Sequence, residues 1–225
     1  MSQTIYPQRA RMTTGQQRAW DRSWDRWGTD VRELPDGPLD TAGWFGRAAP
    51  VVLEIGSGMG EASASMALAA PGVDHLAVEV YQPGLAQLLL RIEQAGITNL
   101  RLLRGDAHPL LAEHVVPSSL HAVRIYFPDP WPKRRHHKRR LVRPEFVALV
   151  ASRLTPGGTL HLATDWAAYA EEMLAACAAE PALRNTAGDN FHGFAPRPAW
   201  RPVTKFEHRA RDEGRMVWDL LFARV

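Results

Sequence analysis

The sequence is poor in cysteine and has no long hydrophobic run. Cys177 is the only cysteine among 225 residues, so the chain can form neither an internal disulfide nor a cysteine-ligated zinc site. No apolar stretch approaches the roughly 18 residues that a membrane-spanning helix requires, and the N-terminus lacks the continuous apolar core of a secretory signal. These absences predict a cytoplasmic protein with no membrane partner.

Positive charge is concentrated in one segment. The formal net charge is +3, and residues 133–140 contribute six positive charges, so the rest of the chain has a net charge of −3. A solvated basic loop explains most isolated runs of this kind. Charge focused in one place nevertheless favours a polyanionic partner such as a nucleic acid.

Short apolar runs alternate with helical patterns. Five runs are typical of strands buried on both faces: residues 50–55, 75–80, 99–103, 120–127 and 159–164. Apolar stripes at helical spacing lie between them: Leu85, Leu88, Leu89 and Ile92, then Phe146, Leu149, Val150 and Leu154. Pro144 suits the first turn of the second helix. The alternation predicts an α/β fold, with a mostly parallel sheet and helices on both faces.

The two ends of the chain carry further patterns. Residues 203–207 and 216–222 are expected to form an antiparallel hairpin at one edge of the sheet. Near the start, Trp20, Trp24 and Trp27 follow i, i+4, i+7 spacing, which favours core packing over stacking on RNA. We therefore predict an extension, residues 1–45, that packs on a main domain, residues 46–225.

A glycine-rich turn follows the first predicted strand. Glu54 lies near the end of that strand, and Gly56, Gly58 and Gly60 come directly after it. Such a turn allows close approach of a ligand, although tight packing between strand and helix also requires glycine. A dinucleotide fingerprint would have its third glycine at Glu61, whose negative charge disfavours a pyrophosphate.

Acidic residues also follow the next two predicted strands. Glu79 offers a carboxylate for the two hydroxyl groups of a ribose. Asp106 is placed to accept a hydrogen bond from an adenine amino group, and capping of a helix is the alternative role. Together with Glu54, these residues at successive strand ends predict a pocket for a nucleoside without phosphates.

Seven segments in this order resemble the bacterial tRNA (guanine-N7-)-methyltransferases: RMTTGQQRAW, LEIGSGMGE, AVEVYQPG, RGDAH, FPDPWPKRRHHKRRL, LATDW and TKFEHRA. The resemblance spans nearly the whole chain. It implies a Rossmann-like class I methyltransferase sheet, S-adenosylmethionine as cofactor and tRNA as partner. The expected reaction is methylation of a guanine N7, in the variable loop, to 7-methylguanosine.

The resemblance also implies roles for individual residues. Asp129 is the expected catalytic residue. The expected cofactor-binding residues are Glu54, Gly56, Gly58, Glu79, Asp106 and Asp129. The expected substrate-binding residues are Lys133, Asp165, Thr204, Lys205, Phe206 and Glu207. The expected RNA-binding residues are Arg135, His136, His137, Lys138, Arg139 and Arg140. The chain departs from the family pattern at Ala210, where a glycine is expected, and at Tyr81 and Gln82.

The chemistry of the expected reaction fits the segment around Asp129. Guanine N7 has an in-plane lone pair and no hydrogen, so a general base is unnecessary, and alignment and charge tolerance matter most. A carboxylate at Asp129 can accept hydrogen bonds from the guanine N1–H and amino group. Pro128 and Pro130 stiffen the backbone on either side. Trp131 is expected to pack against its own loop rather than stack on a base.

Several alternatives remain at this point. Asp165 is equally suited to cap the helix that begins near Trp166. His136 and His137 are adjacent, which is the wrong spacing for two metal ligands on one helix face, so no metal is expected. A nicotinamide dehydrogenase would lack its third glycine and a hydride-transfer site. An RNA-binding module without catalysis would not need the pocket acids. No obligate protein partner is evident.

Overall fold

The computed structural model describes residues 11–187 and 190–225. The first ten residues of the predicted extension therefore lie outside the described part. The chain divides into two compact units, residues 1–116 and residues 117–225. No helix in the described ranges is long and apolar enough to cross a membrane.

The first unit contains a four-stranded parallel sheet. Its strands are β1 (Gly28–Asp30), β2 (Val51–Ile55), β3 (Asp74–Glu79) and β4 (Leu100–Arg104). They lie side by side in the order β1, β4, β3, β2. Ile55 pairs with Val78, and Glu79 pairs with Arg104, so the carboxyl ends of these strands meet at one edge. Chain segments that leave this edge carry the predicted pocket residues.

The helices of the first unit precede, connect or follow these strands along the chain. They are α1 (Thr14–Trp27), α2 (Thr41–Phe45), α3 (Glu61–Ala69), α4 (Gln82–Ala95) and the short α5 (Ala107–Pro109), which continues into a π-helical turn at Leu110–His114. The predicted stripe of α4 is fully buried: Leu85, Leu88, Leu89 and Ile92. Capping of α1 uses the reciprocal pair Thr13 and Gln16, which satisfies two otherwise unpaired N–H groups.

The tryptophan stripe of α1 packs as predicted. The rings of Trp20 and Trp24 stack with their centroids 4.0 Å apart. Both rings and that of Trp27 lie against the buried cluster that includes Leu85 and Leu89. This packing accounts for the spacing of the three tryptophans. The boundary at residue 45 stays a prediction.

The second unit combines parallel and antiparallel strands. Its strands are β5 (Leu120–Tyr126), β6 (Leu154–Thr164), β7 (Leu183–Asn185) and β8 (Trp218–Arg224). Strands β5 and β6 are parallel, whereas β8 runs antiparallel to both β6 and β7. Its helices are α6 (Pro144–Arg153), α7 (Ala167–Ala178) and α8 (Lys205–Asp212), with 3-10 turns at Arg134–Arg139 and Asn190–Gly193.

Two details differ from the sequence prediction. Residues 203–207 do not form a strand, because Thr204 caps α8 and its hydroxyl accepts a hydrogen bond from the Glu207 N–H. The antiparallel partners of β8 are instead β6 and β7. Leu154 begins β6 rather than ending α6, whose buried face uses Phe146, Val147 and Val150. The predicted fold class, a mostly parallel α/β sheet with antiparallel strands at the C-terminus, is confirmed, but those strands do not form the expected hairpin.

Candidate functional site

The glycine turn after β2 has two distinct functions. Gly56 and Gly60 both adopt positive φ, +78° and +73°, which side chains rarely tolerate. A Cβ on Gly60 would lie 2.5 Å from Leu88 Cδ1, so this glycine is required for packing. A Cβ on Gly56 would meet no atom within 4 Å. The turn therefore leaves open space beside Gly56, where a ligand can approach the backbone.

Glu79 is fixed at the end of β3 by backbone donors. Its Oε2 accepts a hydrogen bond from the Gly58 N–H at 2.8 Å. Its Oε1 accepts from the N–H groups of Val80 and Tyr81 at 2.7 and 2.9 Å. A carboxylate has about four acceptor positions, so these three bonds orient the group and still leave capacity for a hydroxyl donor.

Glu54 and Asp106 are each bound to a neighbouring element. Glu54 is buried, and its Oε2 accepts a hydrogen bond from Ser63 Oγ of α3 at 2.6 Å. Asp106 caps the turn that begins α5, since its Oδ1 accepts from the His108 N–H at 2.9 Å. The capping role considered for Asp106 is thus present, and it uses one of the two carboxylate oxygens.

Ser57 supplies a buried hydroxyl within the glycine turn. Its side chain is 8% exposed, and its Oγ has no hydrogen-bond partner among the residues that the structure describes. Buried hydroxyl groups are generally hydrogen-bonded. The Oγ therefore offers a polar contact to a molecule bound at the turn.

The segment around Asp129 is held by its backbone. Phe127 and Trp131 adopt positive φ, +51° and +44°, on either side of the Pro128 and Pro130 pair. The Phe127 N–H donates to the Ala163 carbonyl at 2.7 Å, which ties the start of the segment to β6. Asp129 itself is exposed. Its carboxylate is therefore presented to solvent from a stiff loop.

Trp131 packs against its own loop, as predicted. The guanidinium carbon of Arg139 lies 5.0 Å from the centre of the Trp131 ring system. The ring of His136 meets the same side chain edge-on, with centroids 5.8 Å apart. Partial desolvation, followed by the charges of nearby cations that include Arg139, lowers the pKa of His136. The lowered pKa disfavours the charged form of His136, so we do not expect this residue to add to the positive charge of the segment.

The basic residues at 133–140 differ in exposure. Lys133, Arg135, Lys138 and Arg139 are exposed. Arg140 is buried: its Nε donates to the Pro130 carbonyl at 2.8 Å, and its Nη1 lies 2.5 Å from Glu172 Oε2. The guanidinium also lies over the Tyr169 ring at 4.7 Å. These contacts favour support of the loop that carries Asp129 as the role of Arg140, and its expected RNA contact stays a prediction.

Asp165 pairs with an arginine rather than capping a helix. Arg215 Nε and Nη2 lie 3.0 and 2.8 Å from Asp165 Oδ2. The helix α7 begins at Ala167, and its N-cap residue, Trp166, makes no side-chain capping bond. The capping alternative is therefore wrong, and the carboxylate of Asp165 is engaged by Arg215.

The first turn of α8 presents two side chains and buries a third. Lys205 and Phe206 are exposed, and Phe206 is 47% exposed despite its size. The Phe206 ring stacks on Phe127, with centroids 6.0 Å apart and planes at 19°. Glu207 is 1% exposed, and its carboxylate pairs with Arg197, Arg201 and Arg211. These ion pairs anchor the first turn of α8, and the expected substrate contact of Glu207 stays a prediction.

The sequence matches known proteins over nearly its whole length. The family described as "Putative methyltransferase" matches residues 48–220. A tRNA (guanine-N(7)-)-methyltransferase of Streptomyces avermitilis is 51% identical over 99% of this chain and 75% of its own. The protein of the same name from Halorhodospira halophila is 50% identical over 98% of this chain and 94% of its own.

The chain belongs to the tRNA (guanine-N(7)-)-methyltransferase family.

A solved structure supports the fold of this methyltransferase family member. The 16S rRNA methyltransferase KamB aligns with 85% of this chain and 96% of its own, at a TM-score of 0.56 and 15% identity. At this identity the likeness concerns the fold alone. The predicted α/β fold, with a mostly parallel sheet, is thereby supported.

Sequence reasoning missed a buried polar cluster in this methyltransferase. Arg201 contacts both Glu207 and Asp219, and Asp219 also contacts His161. Arg201 and Asp219 are 18 residues apart. Each lies in an unremarkable local sequence. The only local signal in this region was the T-x-x-E pattern of Thr204 and Glu207, which is typical of a helix start.

Proposed function

We propose that the protein transfers a methyl group from S-adenosylmethionine to N7 of a guanine in tRNA, forming 7-methylguanosine. The observation that carries the proposal is the identity of about half of all residues with relatives of that name over 99% of the chain. The resemblance of the motifs extends the proposal to a guanine of the variable loop. Since tRNA is the substrate, we place the activity in the cytoplasm.

The first unit supplies the proposed cofactor site. S-adenosylmethionine, when bound, supplies an activated methyl group on a sulfonium centre. We assign Glu79 to the ribose hydroxyl groups, because three backbone N–H donors orient its carboxylate and leave acceptor capacity. Ser57 Oγ, buried and without a partner in the described ranges, is suited to a polar group of the same ligand. Glu54, Asp106, Gly56 and Gly58 complete the proposed set.

An alternative nicotinamide cofactor fits the first unit less well. Glu61 stands in the first turn of α3, where the helix N-terminus would receive a pyrophosphate. Its Oε1 lies 3.5 Å from Arg91 Nη2, so the pairing is weak and both side chains are about one-third exposed. A carboxylate at that position favours a cofactor without phosphate groups.

Asp129 is proposed as the catalytic residue. Guanine N7 attacks through its own lone pair, so no residue has to remove a proton. The carboxylate can accept hydrogen bonds from the guanine N1–H and amino group, which become better donors as positive charge develops on the ring. A stiff loop favours this role, because the preceding Phe127 and following Trp131 are held at fixed backbone angles.

Substrate contacts are proposed on the exposed side chains of the second unit. We assign phosphate contacts to Lys133, Arg135, Lys138 and Arg139, with His136 and His137 beside them. We assign nearby RNA contacts to Lys205 and Phe206, because an exposed ring next to an ammonium group suits a base and its phosphate. Thr204 caps α8 directly before Lys205, and Asp165 pairs with Arg215. We keep both of them, together with Glu207, in the proposed substrate-binding set.

The test is an assay with labelled S-adenosylmethionine and tRNA transcribed without modifications. We expect label only in 7-methylguanosine, and a transcript with the variable-loop guanine replaced by adenine should receive none. Isothermal titration with S-adenosylhomocysteine measures cofactor binding independently. Label in another nucleoside would contradict the substrate assignment, and absence of cofactor binding would contradict the enzyme class.

A further inference from the structure

The buried guanidinium group of Arg201 contacts several elements of the second unit. The side chain of Arg201 is 0% exposed. Its Nε and Nη2 donate to Asp219 Oδ1 and Oδ2 at 2.8 and 2.9 Å, which is the two-point geometry of a strong arginine–carboxylate pair. Its Nη1 donates to Glu207 Oε2 at 2.6 Å. One side chain thus joins strand β8 to the first turn of α8.

The same group reaches the end of β5. The Arg201 guanidinium carbon lies 5.9 and 5.8 Å from the ring centres of Tyr126 and Phe127. Asp219 Oδ1 is also 2.7 Å from His161 Nε2, and His161 Nδ1 is 2.9 Å from the Tyr126 hydroxyl. Tyr126 and Phe127 immediately precede Pro128 and Asp129. The cluster therefore contacts both segments to which we assign substrate contacts and catalysis.

Stability alone does not explain a buried arginine of this kind. Taking charges out of water is costly, and apolar residues of similar volume often stabilise a protein equally well or better. Geometry explains it better, because a planar fork with five donors can bind two carboxylates in fixed directions. A lysine offers three donors at one point and cannot reproduce the two-point contact with Asp219.

We propose that Arg201 is a positioning residue for the methyl-transfer reaction. It fixes the first turn of α8, through Glu207, and the segment that leads to Asp129, through the Tyr126 and Phe127 rings, on the common support of Asp219. The proposal rests on the proposed function for its catalytic consequence. Its structural part, the ordering of two segments by one guanidinium, stands apart from that function.

The test compares Arg201→Lys with a matched control on α8. Arg209→Met removes an arginine of α8 that is 73% exposed and pairs with Glu213, the C-cap residue of that helix. Two amides report on position without any substrate: Phe127 N–H, which donates to Ala163, and His208 N–H, which donates to Thr204. We expect hydrogen exchange at these amides to be about tenfold faster in Arg201→Lys and unchanged in Arg209→Met.

The second measurement is single-turnover methyl transfer at saturating tRNA. Misplacement of a catalytic group by about 1 Å can lower the rate of a reaction on the order of 100-fold. We therefore expect the rate of methyl transfer to fall about 10- to 100-fold in Arg201→Lys. The Kd for tRNA should change less than about threefold, because Arg201 is buried and makes no proposed phosphate contact. Arg209→Met should keep the wild-type rate.

A further variant keeps the test decisive if Arg201→Lys does not fold. The triple variant Arg201→Met, Glu207→Gln, Asp219→Asn removes all three buried charges of this group at once. None of the three positions therefore keeps a buried charge without its partner. We expect it to fold, with fast exchange at Phe127 and His208 and slow transfer. A folded Arg201 variant with wild-type rates of hydrogen exchange at Phe127 and His208, and a wild-type rate of methyl transfer, would overturn the proposal. If the wild-type protein methylates no tRNA, the proposed function fails, and hydrogen exchange alone still decides whether Arg201 orders the two segments.

Discussion

Gly84, in the first turn of α4, faces the carbonyl oxygen of Gly58. A Cβ built on Gly84 would lie 2.1 Å from that oxygen and 2.9 Å from the Gly58 carbonyl carbon. The obstacle is backbone, so it cannot rotate away as a side chain would. Gly58 is also the residue whose N–H donates to Glu79. The absence of a side chain at Gly84 therefore sets the position of the glycine turn.

We predict that Gly84→Ala lowers affinity for the cofactor. The methyl group must push the Gly58 carbonyl outward, which disturbs the contact between Gly58 and Glu79. We expect at least a tenfold increase in the Kd for S-adenosylhomocysteine, and a loss of about 1–3 kcal/mol in the free energy of unfolding from overpacking. Isothermal titration and urea denaturation measure the two effects.

Gly15→Ala is the matched control for this substitution. Gly15 also lies in the first turn of a helix, α1, but a Cβ there would meet no atom within 4 Å. Alanine should stabilise the protein by up to about 1 kcal/mol and leave cofactor affinity unchanged. Wild-type affinity in Gly84→Ala would show that the turn tolerates displacement and would contradict the prediction.

Asp129→Asn is predicted to impair methyl transfer without loss of structure. Asp129 is exposed, so the isosteric amide should change the free energy of unfolding by less than about 0.5 kcal/mol. Loss of one charge-stabilising group commonly costs on the order of 100- to 1000-fold in rate, and we expect a fall in that range. Single-turnover transfer at saturating cofactor and tRNA measures it, with Asp212→Asn, an exposed aspartate of α8, as control. A rate within about threefold of wild type would remove Asp129 from the catalytic role.

Substitutions of two adjacent arginines are predicted to have different effects, one on RNA binding and the other on the stability of the loop that carries Asp129. Arg139 is exposed and Arg140 is buried. Arg139→Gln should lower the slope of log K for tRNA against log salt by about 0.7–0.9, the value for one phosphate contact. Arg140→Gln should keep the slope but lower the free energy of unfolding by about 1–3 kcal/mol, because the hydrogen bond to Pro130 and the ion pair with Glu172 are lost. Equal slopes for the two variants would contradict the assignment of either residue.

The elements that sequence predicted best are those with an unambiguous period. The five expected strands fall within one residue of their observed ends, except that β6 starts earlier, at Leu154. Continuous apolar runs bounded by polar residues have few other interpretations in an α/β protein. Residues 203–207 were ambiguous, because V-T-K-F-E alternates like a strand while Thr204 and Glu207 have the spacing of a capping box. In the structure the cap prevails.

The candidate site was predictable where topology alone places a residue. The parallel register brings Glu54, Glu79 and Arg104, two residues before Asp106, to one edge of a sheet, so the neighbourhood of the three acids was predictable from the strand pattern. The sequence did not predict which charged side chains are buried. Nothing in a basic run distinguishes Arg140 from Arg139, because the difference arises from Glu172 and Tyr169, about 30 residues further along the chain. The burial of Arg201 was not predictable either, because its partner Asp219 lies 18 residues further along the chain.

Cys177 is predicted to be unreactive in the folded protein. It is fully buried in α7, and burial raises the pKa of its thiol to about 12. Since the thiolate is the reactive form, a disulfide reagent at pH 8 should label the native protein only through unfolding. Because the chain has one cysteine, labelling in urea should reach one thiol per protein. Stoichiometric labelling of the native protein within the mixing time would contradict the buried environment.

His161 gives a prediction about pH. Burial lowers the pKa of His161, the contact with Asp219 opposes this effect, and the positive charges of Arg201 and Arg124 reinforce it. The neighbours agree with a neutral ring, in which Nε2–H donates to Asp219 and Nδ1 accepts from the Tyr126 hydroxyl. Below about pH 6.5 the unfolded chain therefore binds a proton at this residue that the folded protein does not bind.

The free energy of unfolding should consequently fall as pH falls below about 6.5, with a contribution from this residue of up to about 1.4 kcal/mol per pH unit. His161→Gln is expected to be less stable at neutral pH, because it disturbs the contacts with Asp219 and Tyr126, but to lack this part of the slope. Urea denaturation of both proteins between pH 5 and 8 isolates the contribution as the difference between the two profiles. A difference that widens in favour of the wild type as pH falls would mean that His161 is protonated against Asp219, and the neutral ring inferred from its two hydrogen bonds would be wrong.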